Sequence, residues 1–305
     1  MTQLLTLPLP VRDIAASAQG NAACGWCASR SRRLFTGLML GAALAPTAQA
    51  QIPECRRSAA AGLVPADQVE SAAAQQYRQM MQEAQGQRAL ASASEPQLQR
   101  LRYIAARMLP YTAECNDRAK QWKWEVNLIG SAQINAFCMP GGKIAFFSGI
   151  LSKLQLSDDE VGMIMGHEIA HALLEHARER MAKSGGTQLL LRGAAAMLGL
   201  GGLGDLAAQG LTQLASLRFS RSDETQADAL GLVVATRAGY DPRAGVTLWR
   251  KMGGAGGGNA PPLWLSTHPA GDSRITEIEA RLPGLLPVFN AAPKPDRRFP
   301  KASKA

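Results

Sequence analysis

Two of the four histidines in this chain stand four residues apart around a glutamate, in the run Gly166-His167-Glu168-Ile169-Ala170-His171. The run lies inside an apolar stretch from Val161 to Leu174 that reads as a buried helix. On a helix, positions i and i+4 share a face one turn apart, so both imidazoles can reach one cation. This is the H-E-x-x-H spacing of a zinc-dependent hydrolytic centre. Zn²⁺ held by imidazoles at about 2.0–2.1 Å brings the pKa of a water it binds toward about 7. A carboxylate beside the ligands can then take a proton as that water attacks a carbonyl. His167 and His171 are therefore the predicted ligands of one Zn²⁺ per chain, and Glu168 the predicted base. Ionisable side chains in an apolar helix are costly unless something compensates, and a bound cation does.

Two imidazoles are one ligand short. Glu175 shares their face but lies eight residues past His167, about 12 Å along the axis, so one straight helix does not supply all three ligands. The three-histidine variant of the motif needs Gly and His where this chain has Leu174 and Ala177, so a second helix must contribute. Phe219 to Asp228 opens one, with Glu224 as the best candidate. Asp228, one turn on, can accept a hydrogen bond from a ligand imidazole. His176, five residues past His171, points about 140° away on a continuous helix and reads as structural.

The elements that must hold these residues are mostly helical. Helices are predicted from Ala66 to about Gln87 and from Glu95 to Met108, packing over the active-site helix as a brace or lid. Trp122 to Ile129 alternates like a half-buried strand, and Pro140-Gly141-Gly142 turns the chain into a β-rich segment at Lys143 to Phe147. A strand here could offer unpaired backbone to an extended peptide or serve the fold alone. Ser157 and Glu160 form a capping box at the start of the active-site helix, predicted to run from Asp158 to about Lys183. Residues 188–216 read as a Gly-interrupted apolar hairpin. Asp241-Pro242 begins another helix, 253–262 is a tether, and Asp272 to Leu282 is a final short helix.

Composition bounds the rest. The chain has 305 residues, 46% hydrophobic, enough for a sizeable core. Of its net charge of +9, residues 1–50 carry +3 and 291–305 carry +4, so about +2 is left for the body, no basic face need be invoked and nucleic acid is not an expected partner. Arg30-Ser31-Arg32-Arg33-Leu34-Phe35, an apolar run to about Ala45 and Ala48-Gln49-Ala50 follow the order of a secretory signal peptide of twin-arginine character. The apolar run is too short to span a membrane, and cleavage near Ala50 predicts a periplasmic protein. Cys24 and Cys27 fall in the removed part. Cys55, Cys115 and Cys138 allow one disulfide and one thiol, with the pairing open.

Three segments together resemble metallopeptidase family 48, the gluzincins of the HtpX and Ste type: H-E-I-A-H at 167–171, S-R-x-x-E-x-x-A-D at 220–228 and N-A-F-x-x-P-G-G at 135–142. The resemblance spans about Gln97 to Leu282 and is greatest to soluble periplasmic members, since neither spanning helices nor a tetratricopeptide-like repeat is evident. It implies an α+β, mostly α, zincin-like fold with a small sheet. It implies Glu224 as third zinc ligand and Asp228 as its support. The family's His-Pro and Arg-Ile pairs are matched by His268, Pro269, Arg274 and Ile275. His268 is then either a catalytic oxyanion donor or a fourth ligand that keeps the site latent.

The expected organisation is a signal peptide (1–50), a helical segment (51–94), a zinc peptidase domain (95–286) and a disordered basic tail (287–305). The expected function is a zinc endopeptidase hydrolysing unfolded or misfolded envelope proteins, with a possible peripheral membrane or outer-membrane assembly contact. The alternative is a chaperone-like binding module whose zinc is capped.

Overall fold

The computed structural model describes residues 55–183, 218–255, 262–269 and 272–304. The leader at 1–50, the hairpin at 188–216 and most of the tether at 253–262 lie outside the described residues.

Helix α1 (Ala66–Gly86) buries Val69, Ala73, Tyr77, Met81 and Ala84, a stripe of i+4 and i+3 steps. It does not brace the histidine-bearing helix. Most of the stripe packs with Ile129, Phe137, Met139 and Ala145 of the sheet, and Tyr77 Oη donates to the Ile144 carbonyl at 2.5 Å. Helix α2 (Pro96–Met108) does take the bracing position, with Pro96 at its first turn and Leu98, Leu101, Ile104, Ala105 and Met108 buried. Each such leucine or isoleucine, buried, contributes about 1.5–3 kcal/mol.

The sheet has three strands, β1 (Glu125–Ile129), β2 (Ala136–Met139) and β3 (Lys143–Phe147), in the order β1-β3-β2. β1 pairs with β3 in parallel, Val126 opposite Ile144, and β2 pairs with β3 antiparallel, Cys138 opposite Ile144. The β2–β3 turn needs its glycines: Gly141 and Gly142 hold φ of +80° and +76°. A Cβ on Gly142 would also stand 2.6 Å from the Trp124 ring. The strand predicted from Trp122 begins only at Glu125, because Trp122 and Trp124 turn inward and pack on each other, centroids 5.3 Å apart.

After α3 (Ser148–Leu154), the capping box forms as predicted: Ser157 Oγ accepts from the Glu160 main-chain N–H and Glu160 Oε2 from the Ser157 main-chain N–H. Helix α4 (Asp158–Leu173) is buried along nearly its whole length. It stops ten residues before the predicted end at Lys183, because Glu175 takes a left-handed φ of +59° and α5 (His176–Lys183) sets off in a new direction. Helix α6 (Arg221–Arg237) starts at a second capping box, Ser220 with Asp223, and packs along α4. Helices α7 (Ala244–Gly254), α8 (Leu263–Thr267) and α9 (Asp272–Ala291) complete the helical side.

Helix α9 carries Pro283 and Pro287 within it and outruns the predicted end at Leu282. The disordered tail expected from 287 is replaced by ordered chain. The Phe299 main-chain N–H donates to Asp158 Oδ2 at 2.9 Å, Arg298 pairs with Asp159 at 3.0 Å, and Gln155 Nε2 donates to the Ala302 carbonyl at 2.8 Å. Prolines and basic side chains suit solvent, but here the acidic first turn of α4 draws the tail in. Arg100, fully buried, donates to Asp158 Oδ1 at 2.6 Å and to the Leu156 carbonyl at 2.8 Å, tying α2 to the same turn. Cys55 and Cys115 form the disulfide and Cys138 on β2 remains a thiol. Among the described residues no helix is long and apolar enough to cross a membrane.

Candidate metal centre

Two glycines bring the two site helices together. A Cβ on Gly166 of α4 would lie 2.5 Å from the Gly231 carbonyl oxygen, and one on Gly231 of α6 would lie 2.6 Å from the His167 nitrogen. With hydrogen at both positions the backbones touch, so side chains flanking the contact on each helix meet across it. His167 and His171 from α4 thus face Glu224 and Asp228 from α6.

The donor atoms converge. His167 Nε2 is 3.0 Å from His171 Nε2 and 3.5 Å from Glu224 Oε2, and His171 Nε2 is 3.5 Å from Glu224 Oε1. His268, from the turn after α8, places Nδ1 3.0 Å from Glu224 Oε1 and 3.2 Å from His167 Nε2. All four residues are at least 96% buried. Four ligands arranged tetrahedrally around Zn²⁺ at about 2.05 Å would lie about 3.3 Å from one another, which these separations bracket. Two or three neutral imidazoles and a carboxylate are also a donor set that suits zinc, so the residues fit the metal.

The surrounding charges keep the donors ready. Burial alone would raise Glu224, but His268, His171 and His167 overcome it and hold its carboxyl well below the usual range. Burial drives His171 well below an ordinary histidine, leaving it neutral, the form that binds metal. Asp228 Oδ1 is 3.0 Å from His167 Nδ1, so His167 carries its proton there and keeps Nε2 free for the cluster. Asp228 is in turn gripped by Arg274, whose Nε and Nη2 each donate at 2.7 Å, and Arg274 Nη1 donates to Glu224 Oε2 at 2.5 Å. Burial pushes Asp228 up, but Arg274 and His167 bring its pKa below the ordinary value. The Arg274 guanidinium lies 3.7 Å over the Trp249 ring, which fixes its plane.

Glu168 is not among the four clustered donors but borders them, its Oε1 3.5 Å from His268 Nε2. Burial raises its pKa to about 7, against the opposing pull of His167 and of the Trp264 indole, which donates to Glu168 Oε1 at 2.7 Å. Three features escaped the sequence reading. Trp264 carried no motif, and Arg274 stood only as half of a family pair. One continuous helix would point His176 away from the ligands. With α4 broken at Glu175, His176 Nδ1 lies 2.9 Å from His171 Nδ1. Phe219, before α6, stacks on His171 with centroids 4.0 Å apart.

A glutamate between two metal-facing histidines, with a carboxylate from a second helix closing the donor set, defines a metallopeptidase of the gluzincin kind. The chain belongs to Peptidase family M48, whose sequence pattern matches residues 96–282. It is 38% identical over 162 residues to the mitochondrial metalloendopeptidase OMA1 of Schizosaccharomyces pombe, 53% of this chain and 47% of that one. It is 32% identical over 205 residues to human mitochondrial metalloendopeptidase OMA1, 61% and 38% of the two chains. It is also 28% identical over 172 residues to the beta-barrel assembly-enhancing protease of Yersinia pestis, 52% and 35%. The chain spans about half or less of the length of these curated relatives.

These similarities correct the periplasmic assignment. Relatives with 30 to 38% identity are mitochondrial proteins, and the bacterial ones are more distant. The periplasmic expectation rested on the composition of residues 1–50, and four arginines against one acid beside an apolar run are equally the composition of a mitochondrial transit segment.

Proposed function

We propose that this chain is a zinc-dependent endopeptidase that hydrolyses peptide bonds in extended segments of unfolded or misfolded proteins, a quality-control activity. His167, His171 and Glu224 hold the metal, which when bound supplies Lewis-acid activation of water and of the scissile carbonyl. Glu168, with a proton affinity set near neutrality, accepts a proton from the attacking water and passes it to the departing amine. The water oxygen bonds to the carbonyl carbon, the C–N bond breaks, and an amine and a carboxylate leave. Asp228 and Arg274 orient the ligands. The observation that carries this reading is the convergence of four buried donors, 3.0 to 3.5 Å apart, beside a separate buried carboxylate.

Among the described residues strand β2 pairs with β3 on one side only, so its other edge is suited to an extended peptide added as a further strand. That is why the preferred substrate is unfolded: a folded protein keeps its backbone groups paired. Glu168→Gln should keep zinc and structure yet lose cleavage of a denatured protein, and a chelator should abolish wild-type cleavage reversibly. Undiminished cleavage by Glu168→Gln removes Glu168 from its role; a zinc-loaded wild type inert on every denatured substrate favours the chaperone-like alternative.

One contact supports a latent resting state. His268 supplies the fourth donor, and a site closed by four protein ligands has no place for water. The segment carrying it sits at the cleft, with the Trp264 main-chain N–H donating to the Ile134 carbonyl at 3.1 Å just before β2. In this reading His268 withdraws before substrate is cut.

A further inference from the structure

His171 lacks what His167 has. The outer nitrogen of His167 meets a carboxylate, which can only accept, so its tautomer is set by Asp228. The outer nitrogen of His171 meets His176 Nδ1 at 2.9 Å, and an imidazole nitrogen can donate or accept. The two rings are buried and meet edge to face at 73° with centroids 4.9 Å apart, and two ring nitrogens at hydrogen-bond distance share one proton, donated by one and accepted by the other.

We infer that His176 is the positioning residue for His171: its Nδ1 accepts the Nδ1–H of His171 and keeps the His171 Nε2 lone pair facing the metal. The inference rests on the metal-site reading above. Were the shared proton on His176, the remaining proton of His171 would sit on Nε2, aimed at His167 and Glu224, and would have to leave before any cation could bind. With the proton on His171 Nδ1, a neutral His176 carries its own proton on Nε2. That nitrogen has no hydrogen-bond partner, and a buried unpartnered polar atom is kept only where something else requires the residue.

The backbone supports the same conclusion. A continuous helix would turn His176 away; it reaches His171 only because Glu175 adopts a left-handed conformation, unfavourable for any residue with a Cβ. Glu175 is held there by Arg178, 2.5 Å from its carboxylate. Strain at that one residue delivers an imidazole to the single open side of His171, while Phe219 fixes the ring plane from the other direction.

The test uses the full chain with zinc and compares His176→Phe, which keeps a planar ring without an acceptor, with His176→Asn, whose amide oxygen can replace Nδ1. Zinc dissociation constants are read by competition with a chromophoric chelator, and folding by thermal unfolding of the metal-free proteins. His176→Phe should weaken zinc about 10- to 100-fold while the metal-free melting temperature holds. His176→Asn should recover most of the affinity. In the zinc-loaded wild type, imidazole ¹⁵N spectra should show His176 protonated at Nε2 only. Unchanged affinity in His176→Phe, equal loss in both variants, or a proton on His176 Nδ1 overturns the inference while leaving the metal site intact. A wild type that takes up no zinc overturns the metal site itself, and the two failures are thereby distinct.

Discussion

The indole N–H of Trp264 points at Glu168, 2.7 Å from its Oε1, and the same tryptophan stacks on His268 with ring centroids 4.7 Å apart. One buried side chain therefore touches both the proposed base and the proposed fourth donor. Holding Glu168 and seating His268 are one structural act. A hydrogen bond to a charged partner contributes about 1.5–3 kcal/mol, so Trp264→Phe should raise the open population and the cleavage rate of a denatured protein by about tenfold. A rate that stays level in a fully folded variant would show that Trp264 does not hold the site shut.

His268→Ala leaves His167, His171 and Glu224 in place and removes the fourth donor. Zinc affinity should fall by less than about tenfold, since three ligands suffice for a catalytic site, and cleavage should rise. Cleavage that drops while zinc stays bound would make His268 an oxyanion donor instead, the other role its sequence position allowed.

Gly231→Ala tests the helix contact. The new methyl would lie 2.6 Å from the His167 nitrogen and 2.7 Å from the Gly166 carbonyl carbon, with backbone on both sides and nothing free to move. Overpacking of this kind costs about 1–3 kcal/mol, read by urea unfolding of the metal-free chain, and zinc binding should weaken with it as α6 is pushed away. Wild-type stability and affinity in this variant would mean that the helices do not meet at these glycines.

The proton on Glu168 makes stability depend on pH in the zinc-free chain. Burial raises its pKa from 4.5 to about 7, so between those values the folded chain keeps a proton that the unfolded chain has released. This contribution makes stability fall as pH rises through that window, by about 3 kcal/mol in all, and leaves no cost below pH 4.5. Glu168→Gln should therefore match wild type near pH 4 and exceed it near pH 8 in chemical denaturation with chelator present. Parallel pH profiles for the two chains would refute the shifted carboxyl.

Residues close in sequence determined what periodicity and spacing can determine. His167 and His171 had to share a helical face, the capping box at Ser157 and Glu160 had to start a helix, and the Pro-Gly-Gly turn had to reverse the chain, because each depends on atoms within a few residues. Glu224 and Asp228 were legible as a face at i, i+4 awaiting a partner. Tertiary packing decided the rest. The end of α4 at Leu173, the return of His176 to His171, the reach of Trp264 to Glu168 and the docking of the C-terminal residues on α2 and α4 all join groups whose mutual energy no local pattern contains. A left-handed residue at Glu175 is locally unfavourable, and only the contacts it makes possible around the buried histidines make it the stable choice.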